Sequence, residues 1–307
     1  MRYITFTIGR EQKFGALLGE QVIELGKHSF PATMLDFIQA GEDAWTAAKA
    51  FCLANLALGV PLSRLHLLAP LPRPGKIIGI GLNYMDHCRE QNVKIPERPL
   101  VFAKYGTAVT GPYETIQWDA ALTNEVDYEG ELGVVIGKTA HWVTEETALD
   151  YVFGYTVADD VSARDLQFSD RQWVRSKSLD TFCPFGPVIV TSGEIPDPQR
   201  LALRTKVNGK VLQDSNTSEM IFSVRALVAF LSRSFTLEPG DLILTGTPDG
   251  VGVFRNPKIF LQNGDLVEVE IEGVGKIENR VFCTSTLGRL TIRNGSNDRR
   301  NKSCLLM

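Results

Sequence analysis

The stretch Glu125-Val-Asp-Tyr-Glu-Gly-Glu-Leu-Gly-Val-Val-Ile-Gly137 decides how the chain is read. Its apolar, β-branched second half reads as a strand. Side chains alternate across a strand, so Asp127, Glu129 and Glu131 share one face, while Val126, Tyr128, Leu132 and Val134 share the other and turn toward a core. Three carboxylates on one face repel one another, and the apolar continuation places them in the interior, where a cluster of one sign needs a cation. Ligation by oxygen alone suits Mg2+, Mn2+ or Ca2+. A solvated strand face is the competing reading of the same residues.

Working outward, strands predominate. Residues 76–80, 154–160, 186–190, 201–207, 241–244 and 266–271 are short apolar runs punctuated by Gly, Pro and Asn-Gly turns. Asn208-Gly209 joins 201–207 to 210–213 as a two-residue hairpin. Residues 2–26 alternate in short strands broken at Gly9 and Gly19, residues 32–58 carry helical spacing for one or two helices, and helical spacing returns at 218–234. Between 69 and 75, Pro70, Pro72 and Pro74 remove backbone donors and hold the chain extended, which marks a linker. The expectation is a small N-terminal α/β domain (1–70), a β-rich mixed α+β domain (75–282) and a basic tail (283–307) expected to be disordered. Strands and helices do not alternate regularly, so a doubly wound sheet is not expected. No repeat of 20–50 residues is present, which argues against a solenoid or propeller.

Lys and Arg total 32 and Asp and Glu 36, a formal net charge of −4. That balance leaves no basic footprint for nucleic acid. Residues 283–307 hold Arg289, Arg293, Arg299, Arg300 and Lys302 against Asp298, so the preceding chain is more acidic than the whole. No apolar run approaches the roughly 18 residues of a membrane span. The N-terminus alternates like a strand and has no signal-peptide core. Cys52, Cys88, Cys183, Cys283 and Cys304 are odd in number and form no CxxC pair, which favours a reducing compartment over a disulfide or zinc framework. The last four residues, Cys304-Leu-Leu-Met307, match a prenylation box, although a cloned or frameshifted tail accounts for them better.

Gly79-Ile-Gly81 follows a strand as a dinucleotide loop would, but the third glycine position holds Tyr84, so no nucleotide cofactor is expected. Other segments offer chemistry. Gly154-Tyr-Thr-Val-Ala-Asp-Asp-Val-Ser-Ala-Arg-Asp-Leu-Gln167 is a strand ending in Asp159-Asp160; two Glu with one Asp would leave a divalent ion open to water and substrate, or Asp160 caps a turn. His87 and Glu90 share a helix face at i and i+3, either as an oriented general base or as a surface contact. Lys177, in an apolar, proline-rich setting, can bind a carboxylate or stabilise an enolate. Thr245-Gly-Thr-Pro-Asp-Gly-Val-Gly252 can cradle a carboxylate or make a tight connection.

Taken in order, six motifs resemble the fumarylacetoacetate hydrolase family over about residues 76–281. They are Gly-Leu-Asn-Tyr-x-x-His-x-x-Glu (81–90), Asp-x-Glu-x-Glu (127–131), Gly-Tyr-Thr-Val-x-x-Asp-Val-Ser-Ala-Arg-Asp-x-Gln (154–167), Lys-Ser-x-Asp-Thr-Phe-Cys-Pro-x-Gly-Pro (177–187), Val-Asn-Gly (207–209) and Pro-Gly-Asp-x-Ile-x-Thr-Gly-Thr-Pro-x-Gly-Val-Gly (239–252). The resemblance implies a β-roll catalytic domain, usually a homodimer, with one divalent ion, Mg2+ or Mn2+, held by Glu129, Glu131 and Asp160. It further implies a water-activating dyad of His87 and Glu90 on a segment that closes over the site, a site lysine at Lys177, and substrate contacts from Arg164, Gln167 and Thr247. Two positions depart from the family pattern: Asp159 stands where Asn or His is usual, and Ser176 where glycine is usual.

The substrate class implied is a 2-oxo acid, with no nucleic-acid or membrane partner. The reaction is C–C hydrolysis of an acylpyruvate or keto–enol tautomerisation of oxaloacetate. Segments 87–97 and 250–255 resemble a subgroup that points to the latter. Alternatives are oxaloacetate decarboxylation, 2-hydroxyhepta-2,4-diene-1,7-dioate isomerisation and, from another class, a catalytically idle metal-binding regulatory protein. The compartment expected is the cytoplasm, or the mitochondrial matrix for a eukaryotic chain lacking its transit peptide.

Overall fold

A computed structural model describes residues 1–284. Its spine is a twelve-stranded mixed sheet. From one edge, the strands run Val60–Pro61, Gln21–Glu24, Glu11–Leu18, Arg2–Ile8, Cys183–Thr191, Val152–Asp159, Gly130–Ile136, Leu242–Leu244, Ile77–Gly81 and Leu100–Lys104. His66–Leu68 and Val109–Thr110 pair off this path. A second sheet of five strands orders Lys210–Asn216, Ala202–Val207, Leu266–Ile271, Gly275–Thr284 and Ile116–Asp119. Val126–Asp127 and Ser162–Ala163 form a two-stranded ladder. The β-rich mixed architecture expected from the sequence is the one observed.

The stretch that decided the reading is not one strand. Val126–Asp127 pairs with Ser162–Ala163, and Gly130–Ile136 pairs with Val152–Asp159 and Leu242–Leu244, so the chain changes ladders at Tyr128 and Glu129. Gly130–Ile136 is buried on both faces. Simple alternation therefore misplaces Asp127, which belongs to the short ladder, and the solvated-face reading fails.

The N-terminal strands join the main sheet directly. Arg2 lies opposite Val190 and Tyr3 opposite Ile189. The proline crossing thus separates two stretches of chain inside one sheet. The helical spacing of 32–58 resolves into α1 (Met34–Gln39), capped by Thr33, and α2 (Gly41–Ala54). These helices pack on the sheet through a core of Tyr3, Phe14, Phe37, Ile38, Phe153 and Phe185. A larger core fills the space under the second sheet, with Leu132, Val134, Tyr155, Val157, Leu203 and Val269 among its members.

Four further helices follow, α3 (Met85–Gln91), α4 (Arg164–Asp170), α5 (Val174–Lys177) and α6 (Val224–Ser234), of which the first three carry residues of the site. The last begins six residues later than its spacing predicts. Residues Thr217–Glu219 make a single 3-10 turn, and Ser223 caps α6 by accepting from the Ala226 N–H. The expected hairpin is present, with Asn208 and Gly209 at φ 52° and 78°, the left-handed pair a type I′ turn requires. Cys283 and Thr284, the first residues of the expected tail, finish the strand Gly275–Thr284. Residues 285–307, with the disorder and the Cys304 box read there, lie outside the described residues. No helix among the described residues is long and apolar enough to cross a membrane.

Phe153 ties the N-terminal helices to the sheet: its ring lies 4.9 Å from Trp45, 5.8 Å from Tyr3 and 6.4 Å from Phe37. Replacing it with Ala is expected to remove about 3–5 kcal/mol of stability. Urea denaturation checks this, and a single transition at lower denaturant is the expected trace.

Candidate active site

The strand register gathers the site at one end of the sheet. Gly130–Ile136 starts where the antiparallel Val152–Asp159 ends, with Gly130 opposite Asp159. Leu242–Leu244 runs antiparallel to the first of these and parallel to Ile77–Gly81, so both finish at the same end. From that end depart Glu129, Asp160, the Gly246-Thr247 turn and the segment leading to α3.

Two hydrogen bonds staple the first pair of strand ends. The Asp160 N–H donates to the Glu129 carbonyl at 2.9 Å, and the Glu129 N–H donates to Asp159 Oδ1 at 2.8 Å. Glu129, Glu131 and Asp160 are thereby brought together with ligand oxygens within 4.8 Å of one another, all buried. Glu129 Oε1 meets Arg164 Nη1 at 2.6 Å, and its Oε2 meets Lys177 Nζ at 2.6 Å. Asp160 Oδ2 meets the same Lys177 Nζ at 2.7 Å, while Oδ1 meets Lys104 Nζ at 2.5 Å. Glu131 is the member of the three without an ion pair among the described residues; its Oε2 accepts from the Gly246 N–H at 2.7 Å.

The electrostatics follow from this pairing. Burial alone would raise Glu129, but Lys177 and Arg164 hold its carboxyl well below the usual range. Burial pushes Glu131 well up, with the charges of Asp160 and Glu129 adding to the shift. A buried carboxyl crowded by two carboxylates and lacking a cation of its own fits a divalent ion, and the all-oxygen donor set fits a hard one. Asp159, the departure from the family pattern, is pushed to about 7, chiefly by burial. It accepts from the Glu129 N–H through Oδ1, whereas Oδ2 has no hydrogen-bond partner among the described residues.

The other expected residues converge on the same place. A cavity of about 190 Å³ is lined by His87, Glu129, Glu131, Arg164, Gln167, Lys177 and Thr247 together with apolar side chains. His87 Nδ1 lies 3.1 Å from Glu90 Oε2, and Gln91 Nε2 lies 2.7 Å from His87 Nε2. This pattern assigns the proton to Nδ1, donating to Glu90, and leaves Nε2 as an acceptor. Glu90 stands behind His87, and its Oε1 accepts from the Gly250 N–H. Arg164 is held by Asp127 at 2.8 Å and by Gln167 at 2.9 Å, and its Nη2 has no acceptor among the described residues. The Thr247 hydroxyl donates to the Gly130 carbonyl and accepts from Gln213 Nε2.

Sequence reasoning missed three residues that shape this site, Gln91, Gln213 and Lys104, and misplaced a fourth, Asp127. Asp127 clamps the Gly252 and Val253 N–H groups as well as Arg164. Gln91 caps His87, and Gln213 bridges Thr247 to the Gly130 N–H. Lys104, at the end of an edge strand, is 4% exposed and grips Asp160. A signal for Lys104 existed in Leu100-Val-Phe-Ala-Lys104, an apolar strand whose last residue is charged. Replacing Lys104 with Met strands one oxygen of a buried carboxylate and is expected to cost about 3 kcal/mol or more of stability, read by urea denaturation.

Residues 76–282 match the family model for the fumarylacetoacetate (FAA) hydrolase C-terminal domain. The chain is 45% identical over 267 residues to the mitochondrial oxaloacetate tautomerase Fahd2a of Rattus norvegicus, covering 86% of this chain and 85% of that one. Among solved structures, a fumarylacetoacetate hydrolase from Exiguobacterium antarcticum superposes with a TM-score of 0.84 at 37% identity, over 92% of this chain and 100% of that one. A maleylpyruvate hydrolase from Sphingobium sp. SYK-6, solved with manganese(II) and pyruvate, superposes with a TM-score of 0.76 at 30% identity, over 92% of this chain and 99% of that one. With the fold, the motif order and more than four-fifths of the chain in agreement, this protein is an enzyme of the fumarylacetoacetate hydrolase family.

Proposed function

We propose that the chain is a divalent-metal-dependent oxaloacetate tautomerase, with Glu129, Glu131 and Asp160 as ligands of Mg2+ or Mn2+. The observation that carries this reading is the placing of a histidine base and a lysine ammonium on one small cavity beside three buried carboxylates. The 45% identity with a protein named oxaloacetate tautomerase supports the same choice of substrate. A divalent ion held there supplies positive charge that draws electrons toward the oxygens of a 2-oxo acid.

The chain's own residues supply the rest. Arg164 Nη2, without an acceptor among the described residues, donates to a substrate carboxylate. Lys177 spends two of its three donors on Glu129 and Asp160 and has one left for the substrate oxygen. His87, its tautomer fixed by Glu90, takes a proton from C3 at Nε2 once the Gln91 amide gives way. The C–H electron pair becomes the C2–C3 π bond, and the carbonyl oxygen takes the charge beside Lys177. That oxygen then accepts a proton as the His87 imidazolium gives up the one it took, which restores the base. One hydrogen has moved from carbon to oxygen, and nothing is gained or lost.

Hydrolysis of an acylpyruvate is the second reading. It is favoured by the same His87–Glu90 pair, which can equally aim at a water, and by the likeness to a maleylpyruvate hydrolase. We place the working unit as a homodimer, to be read by analytical ultracentrifugation, in the mitochondrion or cytosol, following the mitochondrial name of the rat relative.

Enol absorbance decay with oxaloacetate and Mn2+ tests the reading. His87→Ala is expected to lower the rate by roughly 10²–10⁴-fold while calorimetric Mn2+ binding persists. An unchanged rate overturns the base. Glu129→Ala is expected to lose Mn2+ binding and turnover together, and a fully active, metal-free Glu129→Ala enzyme overturns the ligand set. Oxaloacetate inert beside a rapidly cleaved acylpyruvate selects the second reading.

A further inference from the structure

Gly79 and Gly81, read in the sequence as the stub of a nucleotide loop, have another use in the fold. Gly79 stands directly opposite Phe102 in the antiparallel pair Ile77–Gly81 and Leu100–Lys104. A Cβ at Gly79 would overlap the Phe102 ring, and one at Gly81 would overlap the Trp173 indole. The two rings meet edge to face, with centroids 5.5 Å apart and planes at 68°. Both line the cavity that holds His87, Lys177 and the carboxylates. The glycines are seats for two aromatic rings that wall the cavity.

That wall is tied to the catalytic lysine. The Trp173 carbonyl accepts from the Lys177 N–H at 3.0 Å and from Ser176 Oγ at 2.8 Å. Lys177 Nζ lies 5.2 Å from the centroid of the Phe102 ring. Moving the Phe102 ring to admit a larger molecule therefore takes it from the ammonium, and the Trp173 indole packs on that ring. The cavity is also small. Its 190 Å³ is well under the roughly 300 Å³ at which drug-sized sites begin.

We infer that the Phe102–Trp173 wall, seated on Gly79 and Gly81, sets the length limit of the substrate and confines the site to compact 2-oxo acids of oxaloacetate's size. The inference rests on the 2-oxo acid reading above and adds the part of the chain that discriminates within that class. A longer acylpyruvate must displace a ring packed against backbone that has no room to give.

The test compares kcat/KM for oxaloacetate and for a 2,4-dioxo acid two or three carbons longer, using the Mn2+-loaded full chain. Trp173→Ala is expected to raise the long-to-short ratio by roughly 10-fold or more, and Trp173→Phe by less. A ratio unchanged in both variants, or equal losses for both acids, overturns the inference, since a merely structural tryptophan would lower both alike. Trp173→Phe keeps the test alive should Trp173→Ala fail to fold. Calorimetric binding of the two acids reads the length limit separately from turnover. A wild-type protein that binds the short acid over the long one without converting it refutes the tautomerase reading and leaves the wall standing. Equal binding of both acids by wild type and Trp173→Ala refutes the wall.

Discussion

Five carboxylates, Asp127, Glu129, Glu131, Asp159 and Asp160, are buried within one short reach of sheet, and three buried cations answer them: Lys104, Arg164 and Lys177. Isolated charges in a protein interior are expensive, so the site exists only because each cation is paired: Lys104 with Asp160 alone, and the other two with two acids each. Lys177 bridges Glu129 and Asp160, and Arg164 bridges Asp127 and Glu129. With all five acids ionised, two negative charges remain uncompensated, the charge of one divalent cation. Without that cation the shortfall falls on Glu131 and Asp159, the two acids outside the ion pairs, and burial pushes both carboxyls upward. The charge deficit and the donor geometry thus point to the same occupant.

The surrounding fold is arranged to hold this balance still. The staple between Glu129 and Asp160 needs the two strands in register, and the register is kept by apolar side chains on both faces of Gly130–Ile136. The Gly130 N–H donates to Gln213 Oε1, which reaches across from the second sheet and also supports Thr247. Asp127 fixes Arg164 on one side and the N–H groups of Gly252 and Val253 on the other. Catalytic groups on such a frame are pre-organised, so little reorganisation is left for the reaction itself.

How much of this was legible beforehand depended on the distance over which each residue acts. The strands and the hairpin at Asn208-Gly209 announce themselves locally, because alternation and turn chemistry are short-range. His87 and Glu90 are one helical turn apart, so their pairing could be read from spacing. Lys104 and Asp160 are 56 positions apart, and nothing local to the lysine says which acid it meets. Asp127 was grouped with the ligands because alternation assumes an unbroken strand, and the ladder change at Tyr128 and Glu129 is a tertiary event. Gly79 and Gly81 were weighed against a nucleotide motif because a glycine's reason lies in what approaches it, which the sequence does not carry.

The frame of acids and cations by itself does not choose between tautomerisation and hydrolysis. Both begin with a 2-oxo acid whose electrons are drawn toward its oxygens, and both need a cation at Lys177's position. They diverge at what His87 Nε2 touches next, a C–H bond or a water. The Gln91 amide now occupies that nitrogen, and the cavity before it is small and walled by Phe102 and Trp173. A longer acylpyruvate would need that wall to yield before its distal carbonyl could be placed at all. If the aromatic wall limits length as proposed, it also leaves less room for a distal carbonyl and its attacking water, and that is the sense in which the wall favours proton transfer within the bound acid.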